Sequence, residues 1–159
     1  MKKNLLITFI LLSISIVFNN NHVFASTPVQ PKTQIQAPIN TTSLNIVSAP
    51  SKYLNKRVKI QATFDKFSTL GLDYSKAMRD SAKYIGILIQ RDDVIDHSIP
   101  LSEMKLFMKK EMAEKHIDLD AGDKIEIIAK EFSTALGDPW LDIEELKVIK
   151  KAQKEENKN

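Results

Sequence analysis

Phe67-Ser68-Thr69-Leu70-Gly71-Leu72-Asp73-Tyr74 and Phe132-Ser133-Thr134-Ala135-Leu136-Gly137-Asp138-Pro139-Trp140 are near copies of one another. Each follows an alternating apolar run, crosses Ser-Thr and a glycine, and reaches an aspartate and an aromatic residue. These residue types make hairpin turns between antiparallel strands. Glycine takes the left-handed backbone at no cost, and Ser, Thr and Asp bond their own main chain. If both turns open at one end of one small barrel, their tips form a single polar-aromatic rim.

The segments flanking the turns carry strand patterns. Val58, Ile60, Ala62 and Phe64 alternate with Lys59, Gln61 and Thr63, the period of a half-buried strand. Tyr84-Ile85-Gly86-Ile87-Leu88-Ile89 is a continuous apolar run that predicts a central strand, with Gly86 marking a bend or bulge. Residues 72–83 read either as a helical turn around Ala77-Met78 or as an irregular second strand. Leu101, Met104, Met108 and Met112 recur at helical spacing and predict a helix over Leu101–Lys115, with Pro100 near its start and Ser102 as its cap. The methionines read as a core stripe. After a turn at Asp120-Ala121-Gly122-Asp123, Ile125, Ile127 and Ala129 alternate with charged residues. A last strand runs through Leu141, Ile143, Leu146 and Ile149.

The expected fold is mainly β with one helix. Strand, strand, strand, helix, strand, strand is the order of the five-stranded Greek-key barrel called the OB-fold, with its helix between strands 3 and 4. Ala49-Pro50-Ser51-Lys52-Tyr53-Leu54-Asn55-Lys56-Arg57-Val58-Lys59-Ile60 resembles the start of the first strand in exported bacterial OB-fold proteins, the periplasmic kind with a tRNA-anticodon-binding-like OB-fold domain. Those commonly read Asn-Pro-x-x-Tyr-x-Gly-Lys-x-Val. Ala121-Gly122-Asp123-Lys124-Ile125-Glu126-Ile127 is similar to the start of their fourth strand. Ala49 and Asn55 depart from the usual Asn and Gly, though Asn at position 55 can take the same left-handed turn conformation.

Lys2 and Lys3 followed by the 14-residue apolar run Leu5–Phe18 and by Val23-Phe24-Ala25 have the form of a signal peptide cleaved after Ala25. The run is shorter than the roughly 20 residues of a membrane span, so no stable span is expected after cleavage. The expected domains are a signal peptide at 1–25, a disordered Pro/Gln/Thr-rich linker at 26–50, an OB-fold-like domain at 51–149 and a flexible charged tail at 150–159. Within the linker, residues 43–48 have the makings of one helical turn before Pro50. The expected location is periplasmic or secreted. The chain has no cysteine, which excludes disulfides, thiolate metal sites and a cysteine nucleophile.

The formal charge of the whole chain is +3, but Tyr53–Ile149 holds 15 Lys/Arg against 18 Asp/Glu, a net of −3. On that count nucleic acid is set aside as a partner, because phosphate neutralisation supplies most of such affinity. The expected partners are an envelope protein, a glycan or a small polar ligand, and the oligomeric state is left open. Protein segments gain weight because an open barrel edge accepts an added strand.

In OB-folds the loops between strands 1 and 2 and between strands 4 and 5 flank the ligand face. Here those loops are the two near repeats. Ser68, Thr69, Asp73, Tyr74, Ser133, Thr134, Asp138 and Trp140, together with Arg91, form the candidate ligand-binding set. They offer hydroxyls, carboxylates and aromatic platforms suited to sugars or to a peptide strand. The competing view makes Ser, Thr, Gly and Asp plain turn formers, with Phe67 and Phe132 in the core. Asp118-x-Asp120-x-x-Asp123 and Asp92-Asp93-x-x-Asp96 lack the spacing of a calcium loop, and His97 and His116 lack further ligands, so neither a metal nor a cofactor is expected. No nucleophile, metalloprotease or phosphate-loop motif is present. The expectation is a non-catalytic binding module for a cell-envelope component. The alternatives are a secreted calcium-dependent nuclease-like enzyme using Arg57, Arg79 and Arg91, and a purely structural envelope protein.

Overall fold

A computed structural model describes residues 36–95 and 99–153. The expected signal peptide, its cleavage point, residues 26–35 of the expected linker, Asp96, His97 and residues 154–159 lie outside the described residues. Six strands follow in chain order: β1 (Ile39–Asn40), β2 (Arg57–Ser68), β3 (Tyr84–Ile89), β4 (Lys105–Lys109), β5 (Lys124–Ser133) and β6 (Trp140–Lys150). Helix α1 (Ser43–Ser48) precedes β2, and helix α2 (Lys110–Glu114) joins β4 to β5.

The long strand β2 closes the barrel. Its first half pairs antiparallel with β5, from Arg57↔Lys130 to Thr63↔Lys124, and its second half pairs antiparallel with β3, from Phe64↔Ile89 to Ser68↔Gly86. The register shifts between Phe64 and Lys66, where the strand bends from one neighbour to the other. The ring β2–β3–β4–β6–β5 returns to β2, with β4 and β6 parallel and its other pairs antiparallel. This is an OB-fold-like barrel with its helix between the third and fourth strands of the ring. Alternation aims Val58, Ile60, Ile87, Ile89, Leu106, Met108, Ile125, Ile127 and Leu141 into one core. The expected open edge for an added strand is closed by the β2–β5 pairing, and β1 already lies parallel on part of β2.

Two sequence expectations change. The helical stretch Leu101–Lys115 contains a strand, β4, and only Lys110–Glu114 is helical. The reason is that β4 is buried on both faces: Leu106 and Met108 face the core while Phe107 is covered from outside. A strand buried on both sides shows no alternation, so the four-residue methionine spacing reads as a helix. Met104 and Met108 are core residues as expected. Residues 72–83 form consecutive turns, and the second strand of the ring is Tyr84–Ile89.

The boundaries also move. Folded structure starts ahead of Pro50: Thr42 caps α1 by accepting from the Asn45 N–H, Ile46 is fully buried, and Tyr53 Oη lies 3.0 Å from Thr41 Oγ1. The tail is anchored at its first residues, where Lys151 and the Ala152 N–H both bond the buried Asp123 carboxylate. Asn55 has φ 63°, the left-handed turn expected of it.

Candidate functional site

Both near repeats are loops at one end of the barrel, and their tips touch. Loop 69–83 leaves β2 and returns as β3. Loop 134–139 joins β5 to β6 through a tight turn at Ala135–Gly137. A Cβ built on Gly71 would stand 3.9 Å from Cη2 of Trp140. Tyr74 stacks on Trp140 with centroids 5.6 Å apart and planes 21° from parallel.

Between the tips lies a cleft of about 260 Å³. Leu70, Gly71 and Tyr74 line it from the first loop, Leu136 and Asp138 from the second, and Lys105 and Trp140 from the strands beneath. Lys105 is placed by a backbone bond from its N–H to the Pro139 carbonyl (2.9 Å), which follows from the parallel pairing of Lys105 with Trp140. Its ammonium donates to the Ser102 carbonyl and sits 3.3 Å from the Asp138 carboxylate. The walls are thus mostly apolar, with one ion pair inside. Leu136, 71% exposed, holds φ 63° without being glycine. A large side chain kept at positive φ on a loop tip is a strained arrangement of the kind found at ligand sites.

The expected site residues divide. Tyr74, Asp138 and Trp140 meet at the cleft. Trp140 is not the open platform expected, since it is 3% exposed, lies under Tyr74 and donates from Nε1 to the Ala135 carbonyl at 2.7 Å. Ser68 and Ser133 act as turn formers, their hydroxyl oxygens accepting from the N–H groups of Leu70 and Ala135. Thr69 and Thr134 close the same turns with their carbonyls, accepting from Leu72 and Gly137. Asp73 is exposed on the first loop and does not line the cleft. Arg91 follows the far end of β3 from that loop and is engaged by Glu103 (2.7 Å) and Asp93 (2.8 Å), so it does not join the rim.

Lys105 and Leu136 were missed from sequence. The helical reading of Leu101–Lys115 brings Lys105 to neither loop, whereas strand alternation puts it outward with Phe107 and Lys109. Arg57 and Arg79, like Arg91, each hold a carboxylate: Arg57 that of Glu144 at 2.6 Å and Arg79 that of Asp142 through two bonds of 2.6 and 2.7 Å. The three stand on separate parts of the barrel, and among the described residues no three acidic or histidine groups gather as a metal site.

No family model and no curated protein matches the chain. Solved structures do match its fold. A candidate aspartyl-tRNA synthetase from Leishmania major Friedlin aligns at 14% identity and TM-score 0.49 over 79% of this chain. Asparaginyl-tRNA synthetase from Pyrococcus horikoshii aligns at 17% identity and TM-score 0.45 over 71% of this chain. The chain spans 23% of the length of each, and the likeness is one of fold. Both neighbours are tRNA synthetases, and the expectation that set nucleic acid aside as a partner is withdrawn. Net charge averages over a surface, and Lys105 and Lys109 stand at alternate outward positions of a single strand within a domain of negative net charge.

Proposed function

We propose that this chain is a non-catalytic binding module, exported to the periplasm or beyond, which takes part of a cell-envelope component in the cleft between its two loops. One observation carries the reading: two loops far apart in sequence meet at one end of the barrel around an apolar cleft with the Lys105–Asp138 pair in its wall. Apolar walls with one or two fixed charges suit a ligand that presents a carbon face and a polar edge, as a peptide segment or a sugar ring does. The N-terminal basic and apolar pattern supports export.

The test is retention of purified protein on envelope fractions of its host, with single-stranded RNA run beside them. Retention on the envelope that is lost in Lys105→Ala and Tyr74→Ala, both still folded, is the expected result. Retention untouched by either substitution overturns the cleft. Retention on RNA in place of the envelope makes this a nucleic-acid module. Export is tested separately by the mass of the final product, which should begin at Ser26. A product that keeps Met1 overturns it.

A further inference from the structure

Residues 69–83 lie over the outer face of the barrel. Leu72 and Ala77, 4% and 3% exposed, pack with Phe107 and Trp140 into a second apolar cluster on the opposite side of the sheet from the main core. Under the loop the rings are continuous: Phe107 stands 5.8 Å from Trp140 and 6.3 Å from Phe132.

The way the loop is held differs from the way the strands are held. Most of its backbone hydrogen bonds are made within itself, Leu72 to Thr69, Tyr74 to Gly71, Ala77 to Tyr74, Arg79 to Leu72 and Lys83 to Asp80, and at its base the Asp80 carbonyl accepts from Tyr84 and the Lys83 carbonyl from Lys110. The two ends sit side by side where Ser68 pairs with Gly86. Its polar hold on the sheet face is a single side chain. Arg79 grips Asp142 of β6 with two bonds and lies flat on Phe132, its guanidinium carbon 3.5 Å from the ring centroid. A self-bonded loop with adjacent ends can leave the sheet without breaking any strand pairing.

We propose that residues 69–83 are a lid, latched by Arg79 on Asp142, which opens as a unit while the barrel stays folded and so controls access to the aromatic face of Phe107, Phe132 and Trp140. The latch is bidentate and stacked, so neither lysine nor glutamine reproduces it. The inference does not rest on the proposed cleft, which Arg79 does not line, although the lid carries three residues of its wall, Leu70, Gly71 and Tyr74.

Trp140 is the only tryptophan of the chain and lies under the lid, so acrylamide quenching of its fluorescence reads lid opening directly. Arg79→Gln and Asp142→Asn are expected to raise the quenching constant at least about threefold, and to speed amide exchange across 69–83 while leaving β4 and β6 unchanged. Arg79→Lys should fall between them and the parent. Quenching equal to the parent in both variants overturns the latch, as does faster exchange spread equally over lid and strands. If the variants do not fold, exchange in the unaltered protein decides. Amides of 69–83 that open well before those of β4 and β6 support the lid, and amides that open only with the whole barrel overturn it.

Discussion

The indole of Trp140 lies beneath the phenol ring of Tyr74, 5.6 Å between centroids, so a residue of one loop roofs the first residue of the strand that leaves the other. The two partners have different standing in the fold. Trp140 is buried and hydrogen-bonded, whereas Tyr74 is half-buried with one face on the cleft. Trp140→Ala is therefore expected to lower stability by about 3–5 kcal/mol, as large aromatic deletions do. Tyr74→Ala should lower it by about 1–2 kcal/mol. Urea denaturation followed by far-ultraviolet circular dichroism measures both.

Glu131 ends the inward-facing series Ile125, Ile127, Ala129 on β5. It is fully buried, and neither carboxyl oxygen finds a hydrogen-bond donor. Burial raises its pKa to about 7. The raised value means that the folded state keeps the proton while the unfolded chain loses it. Stability is thus highest below about pH 4.5 as far as this group is concerned, and it falls as pH rises through the window up to about 7. Between pH 5 and 7.5 the fall is on the order of 2 kcal/mol. Glu131→Gln should abolish that slope and raise stability at neutral pH. A slope unchanged in the variant would assign it to another group.

Asp123 behaves in the opposite sense. It is fully buried at the turn before β5, and burial alone would raise its pKa. The N–H groups of Ala152 and Asp120 and the Lys151 ammonium outweigh that and hold it below the usual carboxylate range. Its contribution is present above about pH 4 and lost as pH falls below it. Ending the chain at Lys150 removes two of the three partners and should cost about 2–4 kcal/mol at neutral pH. The midpoint of denaturation by urea reports it.

Gly86 faces outward on β3, and a Cβ there would stand 2.9 Å from the Ser68 carbonyl oxygen, a backbone atom that cannot swing aside. Gly86→Ala should destabilise the barrel by about 1–3 kcal/mol. Gly137→Ala meets no neighbouring atom within 4 Å, so its cost comes only from the φ of 83°. Comparing the two separates crowding from backbone strain.

The turns and the half-buried strands were legible in the sequence because they obey simple local rules. Val58 to Phe64 and Ile125 to Ala129 have one wet face, and Ser-Thr-Gly-Asp clusters mark where they end. What was hidden has a common cause, which is that the outer face of the barrel is covered by its own chain. That cover buries Phe107 on the outer face of β4 and makes Trp140 a buried residue. It also makes residues 72–83 a string of turns whose partner, the Phe107 face, no local pattern announces. Arg79 looked like one of three scattered arginines until Asp142 and Phe132 were placed around it. Lys105 joins the cleft only through a parallel pairing with Trp140, a long-range fact that periodicity does not carry.

Barrel closure by β2 also governs the order in which this chain can fold. Residues 57–63 find their partners on β5 about sixty to seventy positions later, so the first strand made stays half unpaired until nearly the last has been synthesised. Local turns form quickly, but closure must wait for a long loop to be brought together, which places refolding in the range of about milliseconds to seconds. During that wait the apolar row Val58, Ile60 and Ala62 lies on a half-strand without its β5 partner, which leaves this stretch open to aggregation.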